Sequence, residues 1–310
     1  MSPRKLYITA QRSTKNKQIA MVLLCCAVFV MGIVLYLFYS INKKRDDVLQ
    51  TTIAPYYQSK EFKIPKDVIT PVSTSSAEIK ILNQYRLPII MYHYVEYVKD
   101  MNDTIRKRLD ITPNLFEGHL QALHDANYKT YFAKDIYEIL NGSVVQSSKS
   151  IVLTFDDGYE DFYTDVFPLL KKYQMKATLY VIYNFIDRKG FIKDAQIREL
   201  ISSGLVEIGS HTFDHLYLKT VSNEVAIKQI IDSKKKFEER YGIEIKTFAY
   251  PFGAFNKDTI ELVKKAGYTA ALSVIPGIMQ SKTNQFYLFR IRPSVFTPKT
   301  IVSVLENYKK

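Results

Sequence analysis

A single apolar block, a stretch without period and then a regular succession of short apolar runs divide this chain. Residues 19–41 form an uncharged, almost wholly apolar run of 23 residues. At ~1.5 Å rise per residue that is long enough to cross a bilayer core as a helix. Residues 42–85 mix Thr, Ser, Pro and Lys with scattered aromatics and sustain no period, as expected of a stalk.

From Arg86 onward strand-like and helix-like patterns alternate. The run 87–95 predicts a strand, and Leu115, Phe116, Leu120 and Leu123 lie at helical spacing within 114–126. Residues 150–156 predict a buried strand that ends in two carboxylates and a glycine turn. A helix is expected over 166–173 and a strand over 177–182. Asp194 is placed to cap a helix stopped by Gly204, with a strand over 205–209. Ser222 is placed to cap a long helix ending near Gly242, and Asn256 another ending at Gly267. Strands are expected from Lys246, over 269–274 and over 287–291, and Thr297-Pro298 to open a terminal helix. Repeated strand–helix units imply an α/β fold with a parallel sheet or barrel.

The net charge of +12 changes meaning once it is mapped. Residues 1–45 carry eight basic side chains and no acid, whereas the remainder carries 35 basic and 31 acidic ones. The basicity therefore flanks the apolar run, and a nucleic-acid partner loses its support. Arg4, Lys5, Arg12, Lys15 and Lys17 precede the run, so residues 1–18 are expected in the cytoplasm, 19–41 as a transmembrane anchor, and everything after them outside the cell. A cleaved signal peptide is the competing reading; the run is longer than a usual signal core and ends in Tyr-Leu-Phe-Tyr-Ser, without a small-x-small site. Both cysteines, Cys25 and Cys26, fall inside the run, so the external part has no disulfide to form.

Polar clusters interrupt the apolar pattern at four predicted strand ends: His93, Asp156-Asp157, His211 with His215, and the Pro251-Phe-Gly turn. In parallel barrels that end builds the active site. One carboxylate with two imidazoles is a hydrolytic metal site that leaves positions open for water and substrate, and the other carboxylate is then free to act as a base. Adjacent carboxylates are poorly placed to flank one glycosidic bond, and no Gly-x-Ser-x-Gly occurs, which disfavours a glycosidase and a serine hydrolase. A glycan-binding domain without turnover is opposed by the intact Asp, Asp, His, His set.

Thr154-Phe-Asp-Asp-Gly158, His211-Thr-Phe-Asp-His215 and Ala249-Tyr-Pro-Phe-Gly253 resemble the first three motifs of the polysaccharide deacetylases, carbohydrate esterase family four, with the NodB homology domain. The resemblance covers roughly 86–305 and implies an irregular (β/α) barrel, a domain over 86–310, and removal of acetyl groups from N-acetylated sugars with a divalent metal. It implies that Asp157, His211 and His215 hold the metal, usually zinc, that Asp156 is the general base, and that the backbone N–H of Phe252 stabilises the oxyanion. The donor set also suits Co²⁺, Ni²⁺ or Fe²⁺.

Two departures from the family pattern stand out. No histidine follows His215 to protonate the leaving amine. His93, in Met-Tyr-His-Tyr-Val, resembles the branch that deacetylates biofilm poly-β-1,6-N-acetylglucosamine, where the acid comes from the start of the domain. His119 shares the apolar face of its helix and reads as a packed residue, and His124 as an exposed one. The third motif also lacks the arginine that orients the base; either Arg290 or Arg292 would supply that charge from the last strand. The expected substrate is an exopolysaccharide of this kind, with peptidoglycan N-acetylglucosamine as the alternative.

Overall fold

The structure, a computed structural model, describes residues 84–100 and 102–308. The expected cytoplasmic segment 1–18, the anchor 19–41 and the stalk up to residue 83 lie outside the described residues. Among the described residues no helix is long and apolar enough to cross a membrane.

The chain enters through β1 (Tyr85–Arg86), β2 (Ile89–Tyr92) and β3 (Tyr94–Val95), then α1 (Thr104–Leu109) and β4 (Asp110–Ile111). There follow α2 (Pro113–Asp125), β5 (Lys129–Tyr131), α3 (Asp135–Asn141) and β6 (Ser150–Phe155). A one-turn π-helix (Phe162–Val166) runs into α4 (Phe167–Tyr173), then come β7 (Ala177–Val181), α5 (Asp194–Ser202) and β8 (Val206–Ser210). The helix α6 (Asn223–Ile227) continues through a π turn into α7 (Ser233–Tyr241). Next are β9 (Thr247–Ala249), α8 (Lys257–Lys265), β10 (Ala270–Pro276), β11 (Met279–Gln280), β12 (Leu288–Arg290) and α9 (Ile301–Asn307).

The strands β2, β6, β7, β8, β9, β10 and β12 are neighbours in that order, all parallel, with β5 paired to the first half of β6. Ile291 closes the ring: its carbonyl accepts from Met91 N–H at 2.9 Å and its own N–H donates to Ile89 at 2.8 Å. The α/β expectation thus takes the form of a near-closed parallel (β/α) barrel.

Alternation along each strand sorts side chains between two cores. Ile89, Val152, Tyr180, Ala249, Leu272 and Leu288 fill the interior. Ile90, Leu153, Leu179, Ile208 and Phe248 face the helices. Ile136, Ile139 and Leu140 of α3 pack with the interior set, so this helix plugs the end where the strands begin. The opposite end is left for the polar residues.

Several helix starts follow side-chain caps. Ser222 Oγ accepts from Val225 N–H at 3.3 Å and Asn256 Oδ1 from Thr259 N–H at 2.9 Å. Two expectations need correction. Asp194 is the first helical residue rather than the cap; Lys193 occupies that position, and the Asp194 carboxylate binds Arg198 and Arg240 instead. Thr297-Pro298 forms a turn before the terminal helix, which starts at Ile301. Pro298 is exposed and lies against Gly118, where an added Cβ would meet its Cγ at 2.5 Å.

Candidate active site

The ladder between β2 and β6 runs to Tyr92 and Phe155, with Asp156 N–H donating to Tyr92 O at 3.0 Å. Past it the chain turns sharply: Asp157 (φ 77°) and Gly158 (φ 74°) are both left-handed. This turn, more than strand alternation, sends the two carboxylates different ways. Left-handed backbone is costly for a non-glycine residue, and such positions cluster where structure is held for function.

From β8, His211 N–H donates to Val181 O at 3.0 Å. Left-handed turns at Thr212 (φ 71°) and His215 (φ 58°) fold the next residues back, and His215 N–H donates to Thr212 Oγ1 at 2.9 Å. Buried Gln229 fixes the same loop by accepting from Phe213 N–H (3.1 Å) and Asp214 N–H (2.9 Å). The result places the two imidazole rings 4.9 Å apart.

Asp157, His211 and His215 converge, each offering a ligand atom within 4.8 Å of the others. Both Nε2 atoms lie 3.2 Å from the same oxygen, Asp157 Oδ1. His211 Nδ1 is 2.7 Å from Ala249 O, and a carbonyl can only accept, so Nδ1 carries a proton. In the neutral ring the Nε2 lone pair then points at a carboxylate oxygen that is buried without a hydrogen-bond partner. Acceptors facing one another in this way fit a cation between them, with the second nitrogen anchored to a carbonyl as metal-ligating histidines are. Burial opposes the Asp157 charge, yet the contacts from His211 and His215 hold its pKa well below the ordinary value. For His211 burial works against a proton, and Asp157, Asp156 and the Ala249 carbonyl together raise its pKa, so the cluster draws positive charge to this position, as a proton or as a cation.

Asp156 is buried a short way off and faces Arg290. The guanidinium forks onto both carboxylate oxygens at 2.8 Å, while its Nε donates to Ser273 O at 2.7 Å. Burial disfavours the Asp156 charge, but the Arg290 charge and hydrogen bonds bring the pKa below the ordinary value. Of the two arginines expected near the base, Arg290 makes this contact.

Arg292 is half-buried two residues on, close enough to His93 to depress its pKa. His93 is half-buried in the gap beyond β2. Burial lowers its pKa most, Asp156 and Asp157 pull the other way, and Arg292 and Arg290 reinforce the lowering. The structure therefore brings His93 within electrostatic reach of both carboxylates. Phe252 sits in a left-handed turn (φ 58°), its ring 56% exposed and 4.5 Å from that of His215. His119 and His124 are apart from this cluster. His119 is fully buried between Tyr92 OH and Phe296 O, each at 3.4 Å, and His124 is exposed.

Three neighbours were not singled out from sequence: Tyr94, Tyr159 and Asp161. Tyr94 stacks on Tyr159 with ring centroids 3.8 Å apart, and Asp161 is buried beside β3, just past His93. For Tyr94 and Tyr159 a place within two residues of His93 and Asp157 was the available signal.

Fold and site together define a parallel (β/α) barrel with an Asp-His-His cluster and an arginine-held carboxylate at the ends of its strands. Residues 143–271 match the family model described as polysaccharide deacetylase. The Bacillus subtilis protein YxkH, named as a polysaccharide deacetylase, is 34% identical over 220 residues, covering 71% of this chain and 76% of that one. The Staphylococcus aureus poly-β-1,6-N-acetyl-D-glucosamine N-deacetylase is 27% identical over 223 residues, covering 64% of this chain and 76% of that one. Among solved structures, the Streptococcus pyogenes deacetylase PplD in complex with acetate matches with a TM-score of 0.67 and 27% identity, over 72% of this chain and 99% of that one. IcaB from Ammonifex degensii shares the fold at a TM-score of 0.59 and 24% identity, over 71% of this chain and 95% of that one. The chain belongs to the polysaccharide deacetylase family, hydrolases of amide bonds.

Proposed function

We propose that this chain is a metal-dependent N-deacetylase of an extracellular N-acetylglucosamine polysaccharide, poly-β-1,6-N-acetylglucosamine in particular. The observation that carries the reading is the convergence of Asp157, His211 and His215 beside an Asp156 held by Arg290. A divalent ion bound by Asp157, His211 and His215, zinc foremost, would lower the pKa of water and polarise the acetamide carbonyl.

The side chains divide the remaining work. Asp156, kept ionised and oriented by Arg290, takes the proton of the attacking water. The Phe252 backbone N–H faces the oxyanion as charge develops. His93 delivers a proton to the departing amine, which leaves poorly without one. Arg292 tunes His93 by its charge.

Two facts favour the β-1,6-linked exopolysaccharide. His93 precedes the metal motifs and no histidine follows His215, and the Staphylococcus aureus relative carries that substrate in its name. The run 19–41 would hold the enzyme at the membrane with the barrel outside. Acetate release by the purified full chain, compared on poly-β-1,6-N-acetylglucosamine and on peptidoglycan, tests the assignment. Faster turnover of the exopolysaccharide is expected, and preference for peptidoglycan would replace it with the alternative.

A further inference from the structure

His93 stands at a fork in the barrel wall. Up to Tyr92 and Phe155 the strands β2 and β6 share a ladder. Beyond that pair β6 turns into the Asp156-Asp157 corner, while β3 departs to pair with β4 through Tyr94–Asp110 and Val95–Ile111. His93 lies between β2 and β3, in neither strand. The Asp156 N–H to Tyr92 O bond is the last tie of the barrel ladder before His93, so beyond it other contacts must hold the His93 branch against the corner.

Two contacts rejoin the branches just past the fork. Tyr94 stacks on Tyr159 at 3.8 Å and 21°, with the Arg106 guanidinium 4.3 Å over the Tyr94 ring. Val95 N–H donates to Asp161 Oδ2. The Asp161 carboxylate is 8% exposed, and its other oxygen, Oδ1, is buried without a hydrogen-bond partner. A buried acid with an unmatched oxygen is a costly way to fill space. Its location suits a different purpose, because Asp161 immediately precedes the π turn that runs into α4, a rigid mount only four residues from Asp157. Holding the Val95 N–H restrains the His93-Tyr94-Val95 backbone against the corner that carries Asp156 and Asp157.

We propose that Asp161 is a positioning residue for this reaction: by gripping Val95 N–H it fixes the gap in which His93 works. The proposal rests on the reading of His93 as the proton donor, and the test separates the two. Full-length, metal-loaded protein is compared as wild type, Asp161→Ala, Asp161→Asn, His93→Ala and the His93→Ala/Asp161→Ala double variant, measuring acetate release and bound metal. Asp161→Ala should lower kcat by about tenfold or more with KM and metal content unchanged, a fraction of the 10²–10⁴ at stake in acid–base catalysis. Asp161→Asn should keep kcat within about threefold, since an amide oxygen still accepts from Val95. In the His93→Ala background Asp161→Ala should cost nothing further, the signature of residues acting as one unit. If Asp161→Ala does not fold, Asp161→Leu, which fills the space without an acceptor, carries the same expectation. An unchanged kcat in folded Asp161→Ala or Asp161→Leu beside a slowed His93→Ala, or a fully additive double variant, overturns the proposal alone. An unchanged kcat in His93→Ala removes the donor assignment and this proposal with it.

Discussion

The guanidinium of Arg290 lies in a fork on the carboxylate of Asp156, 134 residues earlier in the chain, with both nitrogen–oxygen distances at 2.8 Å. Two parallel charge-assisted bonds orient as well as neutralise, which a single point charge does not. Both side chains are buried, so neither group has water to replace the other. Their roles follow: Asp156 stays ionised, and its lone pairs are aimed.

Arg290→Lys keeps a charge and loses the fork. It should lower kcat by roughly 10–100-fold, up to the low end of the 10²–10⁴ assigned to positioned acid–base groups because the base itself remains, while bound metal stays at the wild-type level. Arg290→Met leaves Asp156 buried and unpaired and should destabilise the fold by about 3–5 kcal/mol in chemical denaturation. Wild-type kcat in either variant would detach Arg290 from the chemistry.

His119→Ala should damage stability and spare turnover. The ring is fully buried against Phe116's helix face, with Tyr92 OH and Phe296 O as neighbours. Its removal leaves a cavity and unmatched polar atoms, costing about 2–4 kcal/mol. His124→Ala, at an exposed position, should change neither Tm nor kcat measurably.

Glu207 supplies a pH signature of the barrel interior. Burial raises its pKa to about 7, against the lowering effect of bonds from Thr178 Oγ1 and Lys134 N–H. In the unfolded chain the group titrates near ~4.3, so between these values the folded state binds the extra proton. Stability from this group is therefore complete below pH ~4.3 and lost as the pH rises through the folded value of about 7, by roughly 4 kcal/mol. Glu207→Gln should flatten that part of the stability–pH curve; parallel curves for the two proteins would refute the assignment.

How much of this was legible in the sequence depended on how local each signal is. Asp156-Asp157 and the His211, His215 pair are compact motifs at the ends of apolar strands, and they are found together in the structure. The choice between Arg290 and Arg292 was not legible, because it depends on the phase of a three-residue strand and on ring closure through Ile291. The strand Lys129–Tyr131 and the helix Asp135–Asn141 are too short for either period to show, and α3 plugs the barrel end rather than its outside. Thr297-Pro298 has the chemistry of a helix start, but the chain makes a turn there and the helix begins at Ile301. Asp161 was hidden because its partner is a backbone N–H, which has no sequence signature.

Topology gives a separate test. The basic flank before the 23-residue apolar run predicts that protease added to intact cells cuts the stalk or the barrel and spares residues 1–18. A soluble chain in the medium that begins after Ile41 would establish a cleaved leader instead.

The central claim is that Asp157, His211 and His215 hold the ion on which deacetylation depends, with Asp156 beside it as the base. The most direct measurement is acetate release from poly-β-1,6-N-acetylglucosamine by the purified protein before chelation, after chelation, and after zinc is returned. Activity should vanish and recover. His211→Ala should fail to retain metal, and Asp156→Asn should retain it without turning over. Full activity in a chelated sample shown to be metal-free would contradict the account.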